Sequence, residues 1–268
     1  MAPVTSPDAV QAAVDRLAEA LATRVPCSPV RDLIGSDDLA AAYAVQQGLV
    51  ERRLAAGATV VGRKIGATSK AVQDQLGVDQ PDFGYLLDEM DVSDQHPISM
   101  ARLVQPRVEA EVAFRLRRDI APAHEDDMTL AAVADAVEVA LPALEIVDSR
   151  IAGWDIGFTD TVADNASSGL YVVGEQGRPL DELRPVDVVM SLTIGGEERS
   201  SGTGAACLGD PLEALRWLAV QAFRFGDPLR AGHLVLSGAL GPFVPFSPGD
   251  RVTASISGFP PLSVEFEE

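Results

Sequence analysis

Cysteine is scarce. Cys27 and Cys207 are the only two among 268 residues. Two thiols without a Cys-x-x-Cys spacing make neither a disulfide framework nor a thiolate metal site, and both read as idle. Histidine is limited to His96, His124 and His233. They show no His-x-x-x-His spacing, so zinc fits poorly. No run approaches the ~18 consecutive apolar residues of a membrane span. The N-terminus has no basic stretch followed by an apolar one, so no secretory signal is read. The expectation is a soluble cytoplasmic protein. Positive charge is in deficit: 21 Lys and Arg stand against 40 Asp and Glu, for a net charge of -19. Nucleic acid and anionic membrane are excluded as partners for such a surface. An anionic substrate would need positive charge supplied locally, by a metal, a lysine or an arginine.

A hydrophobic share of 47% is ordinary for a folded chain and argues against disorder. Val10, Val14, Leu17 and Leu21 recur at helical spacing. A second helix is predicted from an N-cap at Ser36 to Gly57, with Pro26 and Pro29 in the connection before it. These form a helical N-terminal segment, residues 1–58, ahead of the main domain at 59–268. Thr59 to Gly66 reads as a strand, Ser69 to Leu76 as a short helix, and residues 77–84 as a turn-rich loop. Thr129 to Val139 reads as a helix ended by Pro142. Further strands are predicted at Tyr171–Val173, Val188–Ile194, His233–Ser237, Val252–Ile256 and Leu262–Phe266, with a hairpin turn at Gly195-Gly196. Asp210, Pro211 and Glu213 mark a helix start, and Gly226 its end. Many strands without regular βαβ alternation argue for a mixed β-roll or barrel with packed helices, an α/β (α+β) fold, rather than a Rossmann or TIM architecture.

Three features carry chemistry. Val108 to Leu116 alternates, with Glu109 and Glu111 on one face and Val108, Ala110, Val112, Phe114 and Leu116 on the other. Taken alone, the glutamate pair reads first as a solvated strand face and only second as a site. Glu145 is different, because it stands in the apolar run Leu141 to Val147. A buried unpaired carboxylate needs a cation, a hydrogen-bond network or a proton. One divalent ion near all three glutamates would answer both features, and oxygen ligands suit Mg²⁺ or Mn²⁺. Lys64, between Val61 and Ile65, fits either a snorkelling edge residue or an acid/base or anion anchor. The polar string Asp160 to Gly169 reads by composition as a loop.

At these residues the chain resembles the 2-keto-4-pentenoate hydratase and 4-oxalocrotonate decarboxylase group of the fumarylacetoacetate hydrolase superfamily. The segments are GRKIGATSKAVQDQLGVDQPDFGYLLDEM from Gly62, QPRVEAEVAFRL from Gln105, PALEIVDSRI from Pro142, DTVADNASSG from Asp160 and AGHLVLSG from Ala231. They cover roughly residues 60–240, and their shared order makes the resemblance specific. It implies a mixed β-roll core with flanking helices, and a homo-oligomer. It implies Mg²⁺ or Mn²⁺ bound by Glu109, Glu111 and Glu145, proton transfer by Lys64 and Asp82, and a small anionic 2-keto acid held with help from Ser168, Asp79 and Leu240. One departure stands out. Related hydratases often carry Gly-Ser-Leu-Thr after the last core strand, where this chain has Gly238-Ala239-Leu240-Gly241-Pro242. Contacts at the far end of the substrate are therefore expected to differ.

The implied activity is hydration of 2-hydroxypenta-2,4-dienoate or a close relative to a 4-hydroxy-2-oxo acid, in aromatic catabolism. Decarboxylation of a 2-oxo-3-enedioate is the alternative, and it needs an extra cation, with Arg107, Arg115 and Arg150 as sources. Carbon–carbon hydrolysis of an acylpyruvate and a non-catalytic partner subunit are further readings. The complete ligand set stands against the last.

Overall fold

The computed structural model describes residues 5–69, 73–74 and 80–268. The predicted helix at Ser69–Leu76 falls largely outside that range.

Helix α1 (Pro7–Thr23) starts at Ser6, whose hydroxyl accepts the Ala9 N–H, with proline at its first position. It buries Ala13, Val14, Leu17 and Ala20. The connection after it contains a short helix, α2 (Arg31–Ile34), that was not expected. Helix α3 (Leu39–Ala55) is capped by Asp38, not Ser36, because the Asp38 carboxylate reaches the Ala41 N–H at 3.0 Å. The three helices pack with Ile151, Ile156, Val162 and Ala163 around an apolar cluster of their own.

Twelve strands form two sheets among the described residues. The larger runs in the order β2 (Asp82–Leu87), β1 (Val60–Gly66), β9 (Leu234–Ala239), β4 (Pro106–Leu116), β5 (Val137–Asp148), β6 (Ser168–Val173), with β10 (Val244–Pro245) also on β4. The smaller runs β3 (Ile98–Ser99), β12 (Leu262–Glu267), β11 (Arg251–Ile256), β7 (Val189–Ile194), β8 (Glu197–Thr203). Both are mixed: β1 lies parallel to β9 and β3 parallel to β12, and the other pairs are antiparallel. Gly195 and Gly196 take φ of 60° and 88°, which fits the tight turn between β7 and β8.

The main core lies on the face of β4 that carries Val108, Ala110, Val112 and Phe114. It packs on Leu192 of β7, Val252 of β11, and Leu215 and Leu218 of helix α6 (Pro211–Arg224). Asp210 caps α6 through the Leu212 N–H. Helix α4 (Leu130–Ala136) is shorter than predicted, and β5 begins at once at Val137. Pro142 therefore lies inside a strand instead of ending a helix. It is tolerated because its carbonyl side faces Gly174, just past the end of β6, where the ladder asks for no proline N–H. The opposite face of β4 and β5 carries the candidate site.

Candidate metal centre

β4 and β5 pair so that Glu109 stands directly across from Glu145, and Glu111 across from Ala143. Like charges facing each other across a ladder repel, and none of the three is solvated: Glu109, Glu111 and Glu145 are 4%, 0% and 1% exposed. Each offers a carboxylate oxygen within 4.8 Å of the other two. The Gly238 N–H on β9 donates to Glu111 Oε2 at 2.7 Å. Glu111 Oε1 and both Glu145 oxygens have no hydrogen-bond partner among the described residues, nor does Asp82 Oδ1. Buried carboxylate oxygens left without donors call for a cation. A set of hard oxygen donors fits a divalent ion of the Mg²⁺ or Mn²⁺ type.

Lys64 on β1 reaches across from the sheet's other half. Its ammonium donates to the Ala166 carbonyl at 3.0 Å and stands 3.1 Å from Glu145 Oε1, an ion pair without hydrogen-bond alignment. Asp82 pairs with Gly66 across β2 and β1, and Thr161 Oγ1 donates to Asp82 Oδ2 at 3.1 Å. Both side chains pass over Gly66. A Cβ there would stand 2.1 Å from Asp82 Oδ1 and 3.3 Å from Lys64 Nζ, so only glycine leaves them room.

The electrostatics follow from four buried carboxyl groups facing one ammonium. Burial pushes Glu109 up to about 8, with the Glu145 charge adding to it. Burial also pushes Glu111 well above the usual carboxylate range, reinforced by Glu145 and Glu109. Glu145 and Asp82 are raised by burial, against the opposing pull of Lys64. Burial alone would lower Lys64, but Glu145 and Asp82 overcome it, so its ammonium is held charged.

The polar string expected to be a loop forms a buried lid over this face. Helix α5 (Phe158–Ala163) leads into Asn165, Ala166 and Ser167, all at φ near +50°. Three consecutive left-handed residues are unfavourable without glycine, and the surroundings hold them. Asn165 exchanges two hydrogen bonds with the Tyr85 backbone, at 2.8 and 3.0 Å. Buried Arg150 pairs with Asp164 and donates to the carbonyls of Asp148 and Ser168. From the helical segment, Gln46 donates to the carbonyls of Phe83 and Val162. Asp160 accepts from the Val30 and Arg31 N–H groups. This turn aims the Ala166 carbonyl at Lys64.

A small cavity of about 20 Å³ beside Glu109 is lined also by Lys64, Asp82, Thr161 and Ser167, with an apolar side of Val147, Trp154 and Phe243. Of the residues expected against the substrate, Ser168 faces elsewhere: its hydroxyl donates to the Asn165 carbonyl at 2.7 Å, and its neighbour Ser167 faces the cavity. Leu240 is fully buried in the main core. Asp79 lies outside the described residues. Thr161 and Ser167 lie in the polar string that read as a loop, and Trp154 and Phe243 were not singled out; the sequence carries no local signal that would bring the four together.

This fold and this buried carboxylate cluster belong to a known class. The fumarylacetoacetate hydrolase C-terminal family matches residues 55–267, and the chain belongs to that family. Its relatives narrow the group. It is 50% identical over 258 residues to the TodF product hydratase of Pseudomonas putida strain F1, covering 96% of this chain and 95% of that one. It is 48% identical over 265 residues to the 2-keto-4-pentenoate hydratase of Paraburkholderia xenovorans strain LB400, covering 98% and 96%. It is 42% identical over 255 residues to the 2-hydroxyhexa-2,4-dienoate hydratase of Comamonas testosteroni, covering 94% and 96%. Among solved structures it resembles the 4-oxalocrotonate decarboxylase of Pseudomonas putida G7 complexed with magnesium and adipate. The TM-score is 0.90 at 29% identity, covering 97% of this chain and 98% of that one. The expected family and mixed β-roll fold are thereby borne out.

Proposed function

We propose that this chain is a divalent-metal-dependent hydratase that converts 2-hydroxypenta-2,4-dienoate, or a close relative, to a 4-hydroxy-2-oxo acid. The observation that carries this reading is the buried trio Glu109, Glu111 and Glu145, half of whose oxygens lack a donor among the described residues, set against Lys64 and Asp82. Near-half identity to hydratases over almost the whole chain supports it.

The trio would hold Mg²⁺ or Mn²⁺, which when bound supplies Lewis-acid stabilisation of charge at the substrate's 2-oxygen and draws an anion into an acidic protein. The chain's own groups move protons. Asp82, raised by burial and fixed by Thr161, is suited to take the 2-hydroxyl proton and return it to carbon as the dienol becomes a conjugated 2-oxo-3-enoate. Lys64, held charged, donates toward developing negative charge without leaving the Ala166 carbonyl. Water then adds oxygen at C4 and a proton at C3. Residues 59–268 carry this chemistry, and the helical segment 1–58 closes the lid side through Gln46 and the Asp160 contacts. The working form is a homo-oligomer, checked by light scattering.

Loss of dienoate absorbance with Mg²⁺, abolished by EDTA and by Glu145→Gln, is the expected result. Unchanged activity after complete metal removal refutes the metal reading. A second reading, decarboxylation of a 2-oxo-3-enedioate, is favoured by the fold similarity to the decarboxylase. Carbon dioxide release from the diacid, measured against water addition to the monoacid, separates the two.

A further inference from the structure

Arginines near the trio are accounted for with one exception. Arg150 spends its donors on Asp164 and on the carbonyls of Asp148 and Ser168. Arg115 is exposed toward the other end of β4. Arg107 is the exception. It shares the strand face of Glu109, two residues away, or about 7 Å along β4. Directly across from it on β5 is Val147.

Among the described residues, the only partners of the Arg107 guanidinium are two aromatic rings. It stands 4.4 Å from the centroid of Trp154 and 4.9 Å from that of Phe243. Those rings line the cavity, and Arg107 does not. Trp154, Phe243, Val147 and Ala239 form one apolar cluster, so the segment lacking the expected hydroxyl contributes a methyl group here. The indole N–H is already committed to the Gln105 carbonyl at 3.0 Å and offers the cavity no donor. Trp154 is held at φ +58°, an unusual conformation for a bulky side chain.

We infer that Trp154 and Phe243 are the specificity-determining wall for the far end of a 2-oxo acid, and that they screen a latent second anion site, the partly exposed Arg107, from the cavity. The inference rests on the proposed function, in which the divalent ion that the glutamate trio would hold draws in the carboxylate and 2-oxo end. A five-carbon acid extends about 5 Å, four C–C bonds in zigzag, and the two rings line the same cavity as Glu109. A vinyl or methyl end buries apolar surface against the rings. On this apolar side a second carboxylate meets the negative ring faces and no free donor among the described residues, and loses its water without replacement. Arg107, a positioning residue, holds both rings by cation–π attraction. With one ring removed, its unused N–H fork is open to a carboxylate.

The test uses calorimetry on Mn²⁺-loaded protein with two probes, 2-oxopentanoate and 2-oxoadipate. Wild type is expected to favour the monoacid by about 10-fold or more. Phe243→Ala is expected to raise diacid affinity by roughly 10-fold or more, and adding Arg107→Met to remove that gain. Phe243→Val, which leaves the cluster partly filled, serves where the alanine variant fails to fold. No diacid gain in either Phe243 variant, or a gain that survives Arg107→Met, overturns the inference. Dienoate hydration is followed separately. Intact hydration with unswitched selectivity refutes the wall alone, and absent hydration with switched selectivity refutes the activity and leaves the wall standing.

Discussion

Removing the metal while raising the pH should unfold this protein far more readily than raising the pH alone. Burial and the neighbouring charges raise Glu109 from 4.5 to about 8, and Glu111 and Glu145 move in the same direction. A carboxyl group whose folded pKa lies above its unfolded one favours the fold fully below the unfolded value. That contribution is lost as pH rises through the folded value. Between about pH 4.5 and about pH 8 the folded metal-free chain keeps protons that the unfolded chain has released. Each unit of pKa difference is worth about 1.4 kcal/mol, so the Glu109 shift alone corresponds to about 5 kcal/mol. Because the three carboxyl groups interact, the loss belongs to the cluster rather than to one residue. Lys64 does not change the slope: its raised pKa stabilises the fold at every pH below its unfolded value of 10.5. In a chain of this size 1 kcal/mol moves Tm by about 2–4 °C, so Tm should fall by roughly 10–20 °C across the window. A bound divalent ion holds the carboxylates deprotonated and cancels this dependence. The assay is thermal denaturation between about pH 5 and about pH 8, with EDTA and with saturating Mg²⁺ or Mn²⁺. Repulsion from the -19 net charge is nearly common to both curves, so their difference isolates the trio. Parallel EDTA and metal curves, or an equal gap in Glu111→Gln, would refute the reasoning.

Lys64→Met leaves four buried carboxyl groups without their ammonium. Turnover of the metal-loaded protein should drop by about 10²–10⁴-fold, and urea melts of the metal-free protein should show a loss of roughly 3–5 kcal/mol. Gly238→Ala forces a side chain into φ +110° with its Cβ 2.1 Å from Thr68 Oγ1, next to the N–H that holds Glu111. Stability should fall by about 1–3 kcal/mol, and Mn²⁺ affinity, measured by calorimetry, should fall with it. Unchanged Mn²⁺ affinity would show that the Gly238–Glu111 bond does not position the carboxylate.

Local pattern made part of this protein legible. The alternation in β4 placed Val108, Ala110, Val112 and Phe114 in the core and Glu109 and Glu111 on the other face, as observed. The apolar run around Glu145 announced a buried carboxylate. Gly195-Gly196 and Asp210 marked a hairpin and a helix start where both occur. Boundaries fared worse where two signals competed. Residues 137–139 can continue a helical pattern or start a strand, and pairing with β4 decided for the strand. Ser36 and Asp38 are both competent caps, and the one whose side chain reaches a free N–H took the role.

What the sequence determined by itself is which side chains share a strand face and which must be buried, because strand period and apolar content are local properties. Tertiary structure alone decided the register that sets Glu109 against Glu145 and the arrival of Lys64 from β1. It also decided the left-handed turn that chose Ser167 over Ser168 for the cavity, and the stacking of Arg107 on Trp154 and Phe243. These contacts join segments distant in the chain, and their geometry follows from the packing of the sheets, the lid and the N-terminal helices, which no local spacing encodes.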